Sequence, residues 1–166
     1  ASHPGDLLGL RGPYGTAWPI EEAAGCDALV VAGGLGLAPL RTAIDALADG
    51  GPSRLTVVMG AREPEQVLFS DDLRRWRSLD VDVHVTVDTA DRAWDGSVGT
   101  ATELVARLGE RHDAVFVCGP ELMMTSAARA AVDLGADPQQ VWVSLERNMH
   151  CGIAHCGRCQ LGALLL

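Results

Sequence analysis

The residues that could do chemistry gather in three places. Cys151, Cys156 and Cys159 fall within nine residues in the spacing Cys-x4-Cys-x2-Cys, interleaved with Gly152, Gly157 and Gly162. Followed by a more distant cysteine, this is the plant-type spacing for a [2Fe–2S] cluster. Two irons need four thiolates from a loop that wraps closely, and glycines give the backbone that freedom. The chain stops seven residues after Cys159, before a fourth cysteine, and His150 and His155 flank the group. A Cys3His zinc site is therefore the competing reading. Cys26 and Cys118 stand alone. An odd, clustered set of cysteines without a secretory N-terminus argues for metal or redox chemistry over a disulfide framework, and for the cytosol.

The second place is the turn Gly33-Gly34-Leu35-Gly36-Leu37-Ala38-Pro39, directly after the apolar run Ala28-Leu-Val-Val-Ala32. Glycines let a backbone approach a pyrophosphate, and the helix N-terminus behind them supplies N–H groups and a positive dipole end. The pattern departs from Gly-x-Gly-x-x-Gly, and the next apolar run closes on Gly60-Ala61-Arg62 with no acidic residue for a ribose. A purely structural strand-to-helix turn thus stands beside the nucleotide reading. Arg62 would suit a 2′-phosphate or stack on adenine. The third place is Cys118-Gly119-Pro120, closing the run Ala114-Val-Phe-Val-Cys118 on the rim where open α/β sheets bind ligands. A thiol there either touches a reacting ring or is a small buried apolar residue.

Alternating strand-like and helix-like segments must position these groups, the mark of βαβ units and a parallel sheet. Strands are expected at 28–32, 55–59, 81–87, 114–118 and 141–145, which makes five. A helix is expected from about Ala38 to Ala48. A second has Ser70 as N-cap and Leu73, Trp76 and Leu79 on its buried face. Thr100 and Glu103 form a capping box ahead of a third. Gly119-Pro120 opens a fourth, with Met123, Ala127, Ala131 and Leu134 on one face. Val81–Val87 alternates strictly, so Asp82, His84 and Thr86 are expected on a solvated face near a sheet edge. Asp71, Asp72 and the arginines 74, 75 and 77 read as a solvated helix face. His3 and His112 read as surface residues, and Trp18, Trp94 and Trp142 as core or interface.

Length and composition bound what the chain can be. Its 166 residues, 48% hydrophobic and 21% charged, describe about one globular domain. A net charge of −9 disfavours nucleic acid or an anionic membrane as partner, and no apolar run of spanning length occurs. All thirteen basic residues are arginine. Lysine-dependent Schiff-base chemistry and the P-loop are thereby excluded. The missing initiator Met and the apolar end Ala163-Leu-Leu-Leu166 suggest a piece of something longer.

Arg11-Gly-Pro-Tyr-Gly15, the Gly33–Pro39 turn, Gly60-Ala-Arg62, Cys118-Gly-Pro120 and Glu146-Arg-Asn-Met-His-Cys151 occur in this order. Together they resemble the ferredoxin–NADP reductase superfamily. The similarity is greatest to its [2Fe–2S]-bearing branch: the gamma subunits of hydrogenase and sulfhydrogenase, the corresponding subunit of anaerobic sulfite reductase, and the electron-transfer subunit of dihydroorotate dehydrogenase B. The resemblance implies a doubly wound five-stranded parallel α/β sheet of the ferredoxin-reductase C-terminal type, followed by a Cys-rich cluster loop. Residues 1–20 would end a missing FAD-binding β-barrel, 21–146 would bind NAD(P), and 147–166 would be a truncated [2Fe–2S] loop. Gly33, Gly34, Gly36 and Pro39 would cradle the pyrophosphate, and Gly60, Ala61 and Arg62 the adenosine ribose. Cys118, the catalytic candidate, would sit with Gly119 and Pro120 beside the nicotinamide. Gly12, Pro13, Tyr14 and Gly15 would approach the flavin junction. Cys151, Cys156 and Cys159 would ligate iron, with the fourth ligand beyond the chain end.

The implied activity moves electrons between NAD(P)H, FAD on the missing domain and the cluster, in either direction. It would serve a catalytic partner of hydrogenase, sulfite reductase or dihydroorotate dehydrogenase type in the cytoplasm. The rival of another class is an NAD(P)-binding sensor or interaction module with a structural zinc site. A free-standing dehydrogenase is a third reading, without an evident substrate domain or acid–base pair to support it.

Overall fold

The computed structural model describes residues 3–10, 12–13, 15–145 and 149–165. Among them no helix is long and apolar enough to cross a membrane. The chain divides into two compact units, Trp18–Ser144 and the two ends, 1–17 with 145–166.

The larger unit alternates strands and helices: β1 (Asp27–Gly33), α1 (Leu37–Ala48), β2 (Arg54–Ala61), α2 (Ser70–Ser78), β3 (Asp82–Val87), β4 (Ser97–Val98), α3 (Ala101–Leu108), β5 (Ala114–Cys118), α4 (Glu121–Asp133) and β6 (Val141–Ser144). The strands form one sheet in the order β4-β3-β2-β1-β5-β6, every pair parallel. β1 and β5 are buried along almost their whole length, as strands covered on both faces must be. Ala28, Val30 and Ala32 share one apolar cluster with Val57, Met59, Phe116, Leu40, Ile44, Leu73 and Trp76. That cluster joins the sheet to α1 and α2. Asp45 of α1 accepts from the Trp76 indole and from Arg75, both at 2.6 Å, which ties α1 to α2. Burial pushes that carboxyl up, but these two donors and the nearby Arg41 charge outweigh it and leave it below its ordinary value.

The strand expected at the sheet edge has a neighbour. The two-residue β4 pairs Thr86 with Ser97 and Val87 with Val98, making six strands where the sequence pattern marks five. Thr86 is therefore fully buried rather than solvated, and its hydroxyl donates to the Gly99 carbonyl at 2.6 Å. His84 is half-buried, its Nε2 2.9 Å from Asp82. α2 begins differently from its expected cap: Phe69, in a left-handed conformation, holds the N-cap position, and no side chain caps the helix. Because α2 ends at Ser78, Leu79 falls outside its buried face and is exposed. His112, expected on the surface, is buried. The capping box is present as expected, with Thr100 Oγ1 accepting from the Glu103 N–H and Glu103 accepting from the Thr100 N–H.

Trp18, Trp94 and Trp142 are all packed against the core cluster. Trp18 meets Phe116 edge-on with centroids 5.9 Å apart, and Trp142 stacks on Phe116 at 5.1 Å. In the smaller unit, β7 (Gln160–Leu161) and β8 (Leu164–Leu165) form an antiparallel hairpin in a stretch whose sequence shows no periodicity.

Candidate nucleotide and cluster sites

The strand order reverses at β1, which pairs with β2 on one side and β5 on the other. In open α/β sheets the crevice at the carboxyl ends of such a pair receives ligands. Register brings three predicted motifs to this rim: Gly33 lies opposite Gly60, and Ala32 opposite Cys118. The Gly33–Gly36 turn presses on the β5–α4 connection. A Cβ on Gly36 would lie 2.2 Å from the Cys118 carbonyl oxygen and 2.7 Å from the Gly119 Cα. One on Gly33 would lie 2.8 Å from the Met123 methyl and 3.1 Å from Pro120. Glycine is the residue that permits this seam. Pro39, exposed in the first turn of α1, is held by its carbonyl, which accepts from Trp18 Nε1 at 3.3 Å.

Among the described residues, the N-terminus of α1 is the one α-helix start without an acidic residue in its first turn. α2 has Asp71 and Asp72, α3 has Glu103 and α4 has Glu121. Gly36 caps α1 with no side-chain hydrogen bond. A helix start that carries no carboxylate keeps its positive end available to an anion. Beyond β2, Asp88 N–H donates to the Ala61 carbonyl and Thr89 N–H to the Arg62 carbonyl, each at 3.0 Å. These bonds continue the ladder past the strand ends and fix the backbone of Arg62, whose side chain is exposed. Gly60 is half-buried, and a Cβ there would meet Ala101 at 2.9 Å.

Cys118 is 3% exposed and belongs to the apolar cluster on the α1–α2 side, while Gly119 is half-buried and Pro120 exposed. Leu35 and Leu122, in the turns that follow β1 and β5, are 78% and 81% exposed. Sequence reasoning misses both, because a leucine in a glycine turn or in a first helical turn carries no periodic signal. Met123, expected on the buried face of its helix, instead places its methyl at the seam, and Met124 is the buried neighbour.

In the smaller unit, Gly12, Pro13 and Gly15 are exposed, and Tyr14 and Arg11 lie outside the described residues, as do Glu146 and Arg147. All five cysteines are thiols. Cys151 Sγ accepts the Cys156 N–H at 3.4 Å. The Ile153 N–H first, then the Cys156 N–H and thiol and the His155 N–H, hold the Cys151 thiol down at about 7, with burial opposing them. Gly152 and Gly157 take left-handed backbone angles that turn the loop about this sulfur. Cys156 is exposed and Cys159 buried. Sulfur donors in a loop of inward N–H groups fit an iron–sulfur cluster in kind. Among the described residues no three Cys, His, Asp or Glu side chains converge on one metal position, for iron or for zinc.

The chain is similar to several known proteins. The chain is 35% identical over 166 residues to the sulfhydrogenase 1 gamma subunit of Pyrococcus furiosus, covering 96% of this chain and 57% of that protein. It is 36% identical over 157 residues to a probable dihydroorotate dehydrogenase B electron-transfer subunit of Methanocaldococcus jannaschii, covering 93% and 56%. The chain thus spans little more than half the length of these relatives. A solved NADH-dependent reduced ferredoxin-NADP oxidoreductase superimposes with a TM-score of 0.75 at 30% identity, over 95% of this chain and 54% of that one. The family described as the oxidoreductase NAD-binding domain matches residues 30–129, which hold both lips of the rim crevice and the strands that bring them together, and the chain belongs to it.

Proposed function

We propose that this chain is the NAD(P)-binding and cluster-bearing part of an electron-transfer subunit that works with FAD and serves a catalytic partner subunit in the cytoplasm. The observation that carries the reading is the seam at the sheet reversal. There a glycine turn and the Cys118–Pro120 segment meet beside a helix start without carboxylates. When bound, the cofactors supply hydride exchange between nicotinamide and flavin and one-electron exchange with a [2Fe–2S] cluster.

The chain's own residues do the positioning. Gly33, Gly34 and Gly36 with Pro39 would cradle the pyrophosphate at the α1 N-terminus, whose first turn carries no carboxylate. Gly60, Ala61 and Arg62 would line the adenosine ribose. Cys118, Gly119 and Pro120 would sit beside the nicotinamide, and Gly12, Pro13, Tyr14 and Gly15 would approach the flavin junction. Cys151, Cys156 and Cys159 would supply thiolates to the iron. Residues 1–20 then end the flavin-binding barrel, 21–146 are the nucleotide domain, and 147–166 open the cluster loop. The names of the relatives, a sulfhydrogenase subunit and a probable dihydroorotate dehydrogenase B electron-transfer subunit, support a partner subunit.

The test is metal and sulfide content on anaerobically purified full-length protein, together with NADH- and NADPH-dependent reduction of a one-electron dye. Iron and acid-labile sulfide in [2Fe–2S] ratio, with a visible spectrum bleached by the nucleotide, is the expected result. Zinc without sulfide overturns the cluster assignment, and failure of both nucleotides to reduce the dye overturns the electron-transfer reading.

A further inference from the structure

A cavity lies away from the rim. It is a cleft of about 540 Å³, open to solvent, between α2, the middle of β3 and the 94–97 segment. That volume falls within the range of small-molecule sites, about 300–1,000 Å³. No residue of the nucleotide cradle lines it. Val67, Leu73, Val83 and Val85 provide apolar lining, and Trp94 forms a wall. The indole is fixed: its Nε1 donates to the Ser97 carbonyl at 3.0 Å, and it lies so close over Gly96 that a Cβ there would be 2.5 Å from the ring.

The charge of the lining runs against that of the chain. Overall, acidic side chains outnumber basic ones by 22 to 13, whereas this cavity is lined by Arg74 and Arg77 against the single carboxylate of Asp95. Arg77 is held there by two bonds, Nε at 3.2 Å and Nη2 at 3.0 Å, to the Val83 carbonyl. Arg74 is paired with Asp71, which is almost wholly in water, so solvent screening makes that pair a weak competitor for an incoming anion.

We propose that this cavity binds a small planar organic anion, one or two aromatic rings bearing a carboxylate, independently of the nucleotide site. The ring lies against Trp94 and the valines, and the carboxylate is met by Arg74 and Arg77, whose planar guanidinium groups suit it.

The probes are 2-naphthoate and its uncharged counterpart 2-naphthamide, titrated into the full-length protein by calorimetry with and without saturating NADH. One 2-naphthoate per chain is expected, binding about tenfold more tightly than the amide and unaffected by NADH. The exposed Arg74→Gln should remove most of that preference while leaving NADH binding intact. Val67→Trp, which fills the cavity from its apolar side, should abolish binding of both probes. Absence of saturable binding, equal affinity for the two probes, preference unchanged in Arg74→Gln, or one-for-one displacement by NADH would each overturn the proposal.

Discussion

A single methyl group tests the rim. With the Cys118 carbonyl 2.2 Å from where a Cβ would sit, Gly36→Ala must push the glycine turn off the end of β5. The expected cost is about 1–3 kcal/mol in a urea melt, as for other overpacked sites, with a larger proportional loss of NADH affinity because the turn itself moves. Cys118 offers the complementary test. Cys118→Ala removes no buried charge and one sulfur, so folding should change modestly. Stopped-flow hydride transfer in the full-length protein should slow about tenfold or more if the thiol orients the nicotinamide, with KM for NADH changed less. These residues are legible in the sequence because their types are unusual: glycines in series and a cysteine closing a strand. Met123, Leu35 and Leu122 are not, because an apolar side chain at a rim looks in sequence like one in a core.

Among the elements, those with strong local signals appear where the pattern puts them. β5 coincides with its expected span, and α3 starts at its capping box because Thr100 and Glu103 satisfy each other's backbone N–H groups. Thr100→Ala should cost about 1 kcal/mol in chemical denaturation, the usual worth of such a cap. Glu103 sits below its ordinary pKa through the Thr100 N–H bond, so the cap should also weaken once that carboxylate is protonated. β4 is invisible to the pattern because two residues cannot display a period of two, and its pairing reverses the environment of Thr86. The start of α2 is obscured for a related reason. Ser70 has the chemistry of a cap, but the left-handed Phe69 ahead of it sets the entry geometry. The expected solvated face of α2 is solvated at Asp71 and at the arginines 74, 75 and 77, and the exception is Asp72, half-buried where Arg41 meets it at 2.6 Å.

At the scale of the molecule, a buried histidine shapes the pH response. His112 is 3% exposed, and burial first, then Arg54, hold its pKa below 6.5, while Glu110 and Asp27 oppose only in part. The unfolded chain therefore takes up this proton before the folded one does. The stability due to neutral His112 is complete above about 6.5 and is lost as pH falls through that value toward the folded-state pKa. Replacing His112 by Gln should flatten that limb of a melting-temperature profile, read by calorimetry across the acid range. The sheet order also has a consequence in time. β1 and β2 are near neighbours along the chain, but the Asp113 N–H bonds the Asp27 carbonyl across 86 positions, and every β1–β5 pair spans a comparable distance. During synthesis, a chain that has emerged only as far as α3 holds the glycine turn with nothing to close against. Such distant pairings form late, since loop closure precedes their reward. Nucleotide retention therefore reports completion of the central sheet, and a nascent chain should acquire it abruptly once residues 114–120 have left the ribosome.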